Sequence, residues 1–194
     1  MLASIHPLGE RARRQRWGIT VLAYLVSTVG ASALVGAVLG LAGSRLDVPA
    51  AGPLIVVLAI VGIALDLRLG GMSVPTIHRQ VNEEWLTQYR GWVYGASYGF
   101  QLGLGVVTVV NSFTVYLALM LALLAGSVAG GLAIGLAFGL SRGLLILAAA
   151  GVREPDQLRR LHRRIDAWGP VSQRMAVAVQ ALVAAGVLVA VIVA

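Results

Sequence analysis

The chain has 194 residues, 58% of them hydrophobic and 12% charged, with a mean hydropathy of +0.86. A soluble domain carries about 25% charged residues, so this composition excludes an ordinary soluble fold. There is no Cys, which excludes disulfides, thiolate metal sites and thiol relays, and every basic residue behind the net charge of +7 is Arg.

Residues 1–16 hold Arg11, Arg13, Arg14 and Arg16 ahead of an apolar run over 19–43. That run is longer than a secretory signal's apolar core of about 7–15 residues, so it reads as a retained first helix. A second run covers 48–65, a third covers 91–141 without one charged side chain, and a fourth covers 175–194. Each is long enough to cross a hydrocarbon core of about 30 Å as a helix. Their apolar residues are continuous rather than alternating, which excludes a β-barrel. The expected fold class is therefore all-α: a polytopic transmembrane helix bundle forming one integral membrane domain over 1–194.

Polar segments 1–16, 66–90 and 151–174 are rich in Arg, whereas 44–47 holds only Arg45. The positive-inside rule puts the three Arg-rich segments in the cytoplasm, N-terminus included, and the short one outside. An even number of helices must then join 66–90 to 151–174. Five spans are expected, at 17–43, 48–69, 92–125, 127–150 and 171–193, with six as the alternative. Trp17, Trp85, Trp92 and Trp168 all fall at cytoplasmic ends on the five-span map, where amphipathic rings prefer to sit. Two helices over 91–151 leave about 30 residues each, so one of them is tilted, broken or extended. The location expected is the cytoplasmic (plasma) membrane.

Small residues recur at every fourth position. They are Ser32, Gly36, Gly40 and Ser44; then Gly91, Gly95, Gly99 and Gly103; then Ser127, Gly131, Gly135, Gly139 and Gly143. Such stripes let helix backbones approach in lipid, where hydrophobic burial gives no drive. Tight packing is expected through them, with the same chain, other membrane subunits or a homo-oligomer. Two stretches also echo each other: "LAYLVSTVGASALVGAVLGLAGS" at 22–44 and "LGVVTVVNSFTVYLALMLALLAGS" at 104–127. Each has a polar patch in its first half and ends in Ala-Gly-Ser. The echo points to an internal helix-pair repeat with a broken central helix, a duplication of the kind transporters use.

The segment "YGFQLGLGVVTVVNSFTVYLALMLALLAGS" at 98–127, followed by "GGLAIGLAFGLSRGLLIL" at 130–147, resembles a half of the DsbD/CcdA group of membrane thiol-electron carriers, kin to the LysE-type exporters. The resemblance covers about 95–150, and 22–69 more weakly. It implies a small-transporter scaffold with a broken helix around a central cavity. Asn111-Ser112 stands about where that group carries a Pro-Cys pair, so its redox chemistry does not carry over. Five spans also depart from its three-plus-three pattern.

The candidate site residues are polar groups inside apolar runs. Thr28, Gln101, Thr108, Asn111 and Ser112 form a candidate substrate path; they serve equally as interhelical hydrogen bonds or, for Asn111-Ser112, as a loop between two short helices. Asp66 and Arg142 are the charges nearest the membrane interior, where a charge is costly, and form a candidate ion pair. In "EPDQLRRLHRRIDAW" at 154–168, Leu158, Leu161, Ile165 and Trp168 share a face while Arg159, Arg160, Arg163 and Arg164 cover another. We read 153–169 as an interfacial helix on anionic lipid headgroups, with docking of a cytoplasmic partner as the alternative. Segment 70–90 is a second cytoplasmic, interfacial candidate. His78, Glu83 and Glu84 there are read as a solvated face, and no metal or cofactor is expected. No nucleic-acid partner is expected either, because the arginines flank apolar helices as topology signals do.

No nucleophile motif, phosphate loop or metal-ligand cluster is present, so an enzyme is not expected. Two functions fit. One is a small membrane transporter or permease subunit with a polar path near the broken third helix. The other is a non-catalytic subunit that assembles with other membrane proteins through its glycine stripes.

Overall fold

The computed structural model describes residues 5–46, 48, 51–76, 88–108 and 110–193. Among these there are seven α-helices and no strand: α1 (Pro7–Ala12), α2 (Trp17–Gly43), α3 (Ala51–Asp66), α4 (Gly91–Gly103), α5 (Thr114–Leu124), α6 (Val128–Gly143) and α7 (Pro155–Val193). A 3₁₀ turn, Leu144–Ala149, continues α6. Three helical stretches, Trp17–Gly43, Val128–Ala149 and Pro155–Ile192, are long and apolar enough to cross a membrane. Ala51–Asp66 and Thr114–Leu124 are shorter apolar helices. Segment 70–90, expected at the interface, lies in good part outside the described residues.

Local chemistry sets the helix ends. Arg14 in the left-handed region, at φ 57°, separates α1 from α2. Ser127 caps α6 by accepting the Gly130 N–H at 3.1 Å, the usual service of a hydroxyl at that position. Gly126 follows the last turn of α5 with φ +59°, a conformation that only glycine adopts without cost and that commonly ends helices. The chain therefore reverses between α5 and α6 in three residues.

The helix α2 is the centre of the bundle. α4 runs parallel to it: a Cβ built on Gly95, Gly99 or Gly103 would run into the carbonyl oxygen of Thr20, Tyr24 or Thr28 in turn. α5 continues in the same direction, its end at Leu123 touching Gly43. α6 comes back antiparallel, with Gly131 against Gly36, Gly135 against Ser32 and Gly139 against Val29 and Ser32. These seams are backbone against backbone, so no side chain could yield to an added methyl group. The approach costs little exposed polar surface and gains dispersion contacts along two faces of α2.

α3 and α7 form a second, antiparallel pair beside α5. The missing side chain of Gly52 leaves space for Val191 and Val187, that of Gly62 for Phe113 and Gln180. Outward-facing residues in the last half of α7, from Met175 on, are apolar and exposed, among them Leu182 at 72% and Ile192 at 74%. The N-terminal segment seals the other end of the bundle. Ile5 packs into a cluster with Val21, Tyr24, Tyr94, Tyr98 and Ile146, and the Leu8 N–H donates to the Val152 carbonyl.

The structure corrects two sequence boundaries. The second span, expected at 48–69, gives an α-helix over Ala51–Asp66, and Arg68 in the left-handed region, at φ 53°, keeps it from running on to residue 69. The interfacial helix expected at 153–169 and the span expected at 171–193 are one 39-residue helix containing Pro170. A proline removes one backbone hydrogen bond and bends a helix; here it does not end it.

Candidate functional site

The third apolar run is interrupted. α4 stops at Gly103, Gly105 takes φ +84°, and regular helix resumes only at Thr114. Each side of such a break exposes orphan groups, carbonyls at the end of α4 and N–H groups at the start of α5. Their partial charges are positive at a helix N-terminus and negative at a C-terminus.

Two charges, the partly buried Arg142 and the buried Asp66, meet these groups separately. Arg142, near the end of α6, donates from Nη1 to the carbonyls of Leu102 at 3.3 Å and Gly105 at 3.2 Å, and from Nη2 to Thr108 Oγ1 at 3.5 Å. Its guanidinium also stacks 5.2 Å from the Phe138 ring centroid. A cation thus sits on the C-terminus of α4. Asp66, at the end of α3, accepts the Phe113 N–H on Oδ1 at 2.8 Å. Its Oδ2 accepts from Ser112 Oγ at 2.7 Å and Gln180 Nε2 at 2.6 Å. An anion thus sits on the N-terminus of α5. The ion pair expected between Asp66 and Arg142 is corrected: each charge compensates one broken helix end instead of the other charge.

A polar ring surrounds Asp66. Gln180 Nε2 also donates to Thr114 Oγ1 at 3.0 Å, and the hydroxyls of Thr114 and Ser112 lie 2.9 Å apart. Gln173 donates from Nε2 to the Asp66 backbone carbonyl. Gln180 is fully buried, and its Oε1 has no hydrogen-bond partner among the described residues. On the other flank, Thr76 Oγ1 accepts the Val110 N–H at 2.7 Å and the Pro75 carbonyl accepts from Tyr116 at 2.6 Å. Between these walls lies a cleft of about 1030 Å³, lined by Asp66, Arg68, Thr76, Asn111, Ser112 and Gln173 together with neighbouring residues.

Of the candidate path residues, Asn111 and Ser112 line this cleft and Asn111 is exposed to it. Thr108 is buried on the Arg142 side. Thr28 and Gln101 do not line it, which corrects their assignment. Thr28 is wholly buried in the α2–α4 seam and donates to its own helix at the Tyr24 carbonyl, 2.8 Å away. Gln101 donates to the Ser97 carbonyl at 3.4 Å. Arg159, Arg160, Arg163 and Arg164 are exposed on the first third of α7, with Arg159 3.7 Å from Asp156.

Sequence reading missed Gln173, Gln180 and Thr76. Gln180 carried a usable signal, since it is the one polar side chain in 175–194. It also missed Glu10, which is fully buried. Glu10 accepts from Arg13 at 2.7 Å, from Thr20 at 2.7 Å and from the Tyr94 hydroxyl.

Comparison with family models, with characterised proteins and with solved structures finds no match to this chain.

Proposed function

We propose that this is a small integral membrane transporter or permease subunit, and that solute or ion passes by way of the cleft at the α4–α5 break. The observation that carries the reading is the cleft itself: a space of about 1030 Å³ with Asp66, Asn111, Ser112 and Gln173 in its walls, among helices that are otherwise apolar. Irregular backbone is tolerated at membrane depth where it lines such a space, and transporter sites are built from half-helices of this kind.

On this reading the chain crosses the bilayer five times. α4 and α5 count as one crossing, because both run parallel to α2, α4 along its first half and α5 on to its end at Gly43. The Arg-rich N-terminus and the Arg-rich start of α7 then share the cytoplasmic side of the plasma membrane, as the positive-inside rule requires. The arginines at 159, 160, 163 and 164 meet anionic headgroups there. The DsbD/CcdA and LysE-type resemblance adds the idea of a scaffold broken around a cavity, without thiol chemistry.

Uptake of a panel of labelled small solutes into proteoliposomes tests the proposal, with Asn111→Leu alongside the wild-type chain. Uptake of one solute that falls severalfold in Asn111→Leu supports it. Unchanged uptake in that variant removes Asn111 from the path. A chain that moves none of the panel favours the assembly role through the glycine seams.

A further inference from the structure

We propose that Asp66 is a proton-binding group of the cleft, exchanging its proton with cleft water beside Ser112 and using Gln180 as the acceptor of its acid form. Asp66 is buried, yet it and Ser112 both line the cleft. An ionisable side chain at this depth among apolar helices is there for a task more often than for stability.

The hydrogen-bond pattern defines the ionised state. Three donors point at the carboxylate: the Phe113 N–H, the Ser112 hydroxyl and the Gln180 amide. An ionised carboxylate accepts only, so every contact is satisfied; a protonated one must also donate. The site already holds the acceptor for that state. Gln180 Oε1 is buried without a partner among the described residues, and a half-turn of the amide exchanges Oε1 with Nε2, which stands 2.6 Å from Asp66 Oδ2. A buried orphan acceptor is costly in the ionised state, and a proton on Asp66 would give it a donor.

In the uptake step a hydronium ion in the cleft water gives one proton to Asp66 Oδ2 and is left as H2O, the Gln180 amide turns so that the new Oδ2–H points to its Oε1, and the Ser112 hydroxyl turns to Thr114 Oγ1. No electron moves. Neutral Asp66 then no longer supplies the anion at the α5 N-terminus, which loosens one wall of the cleft. The groups that face Asp66 from the elements packed on it are neutral: Ser112 and Phe113 of the break, Thr114 of α5, and Gln173 and Gln180 of α7. Arg68 lines the same cleft, and among the described residues it forms no ion pair with Asp66. A metal ion fits this ring poorly, because N–H and amide hydrogens of the ionised state point into it rather than oxygen lone pairs.

That the proton is the coupling ion of transport rests on the function proposed above; proton binding does not. The test is pH-difference infrared spectroscopy of the purified full chain in lipid nanodiscs, paired with uptake in proteoliposomes at two external pH values. A protonated-carboxyl C=O band that grows on acidification, is lost in Asp66→Asn and changes frequency in Gln180→Leu supports the proposal. A band unaltered by Asp66→Asn, or no such band, overturns it. If Asp66→Asn does not fold, Gln180→Leu decides: an unmoved band overturns the proposal. A sodium-induced tryptophan fluorescence change that vanishes in Asp66→Asn, with no carboxyl band, also overturns it, in favour of a metal ion. Should the band titrate while no solute moves, the proton site stands and the transport reading falls. Solute uptake that is equally pH-dependent in Asp66→Asn leaves transport standing and refutes the role given to Asp66.

Discussion

Substituting Gly36 by Ala tests whether the α2–α6 seam holds the bundle together. The new methyl group would run into the Gly131 carbonyl oxygen and come within 2.9 Å of Gly135 Cα, where ordinary contact begins at 3.4 Å. Both obstacles are backbone, so the helices must part by at least roughly half an ångström, a gap that already forfeits about a quarter to a half of each dispersion contact. With on the order of 30 atom pairs along the seam at about 0.1–0.2 kcal/mol each, the loss comes to roughly 1–3 kcal/mol, which matches the usual cost of overpacking. Gly30 is the control on the same helix, since a methyl group there meets nothing within 4 Å. Thermal unfolding of the purified chain in one detergent, followed by circular dichroism, should show Gly36→Ala melting well below wild type. Gly30→Ala should melt at or slightly above it, because Ala is the better helix former. Equal midpoints for the two variants would refute the reasoning.

Three further outcomes are expected. Glu10→Ala strands the Tyr94 and Thr20 hydroxyls and leaves Arg13 without its partner, costing about 3 kcal/mol, the lower end for breaking a buried charged pair because Arg13 is partly exposed; an unchanged melting midpoint would contradict this. Arg142→Met should cost about 3 kcal/mol, two charge-assisted bonds at the weak end of their range, and should speed amide hydrogen exchange in the last turn of α4; unaltered protection there would count against Arg142 as its cap. Burial, reinforced by the Arg13 charge and opposed by Glu10, holds His6 below its ordinary 6.5. Its neutral Nδ1 caps α1 by accepting the Gly9 N–H, so docking of residues 5–12 is at full strength above about pH 6.5 and weakens as pH falls below it. Amide protection factors across that segment, taken relative to the intrinsic exchange rate at each pH, should therefore fall on acidification in wild type and not in His6→Gln.

Much of the fold was readable because it rests on local or periodic signals. The four-residue spacing of Gly36 and Gly40, of Gly95, Gly99 and Gly103, and of Gly131, Gly135 and Gly139 marks the faces that meet α2 or belong to it. The start of α2 at Trp17 and the reversal at Gly126-Ser127 follow from the composition change and from turn chemistry. The site was only half readable. Asn111 and Ser112 stood out as polar residues in an apolar run, but Asp66, which accepts from Ser112, and Gln180, which donates to Asp66, lie far away in sequence, and hydrogen bonds over such separations leave no periodic trace. Asp66 and Arg142 were visible as isolated charges. Opposite signs suggested a pair, whereas helix ends with partial charges of their own offered each a closer partner. Thr28 and Gln101 misled because a hydroxyl or amide in a helix is often spent on its own backbone.

The two caps of the break reach it from opposite directions along the chain. Asp66 is synthesised before residues 91–124, while Arg142 and Gln180 follow them. On the membrane reading, this span therefore enters the bilayer with half of its loose ends unmet, and it stays so until the ribosome has made α6 and most of α7. Neither α4 nor α5 is long enough to cross alone, so the pair must be handed over as one unit and held by neighbours until its later partners arrive. Order of synthesis thus becomes part of how this protein is built: a chain truncated before residue 180 would hold the glycine seams of α2, α4 and α6 and still leave the Asp66 side of its central opening unfinished.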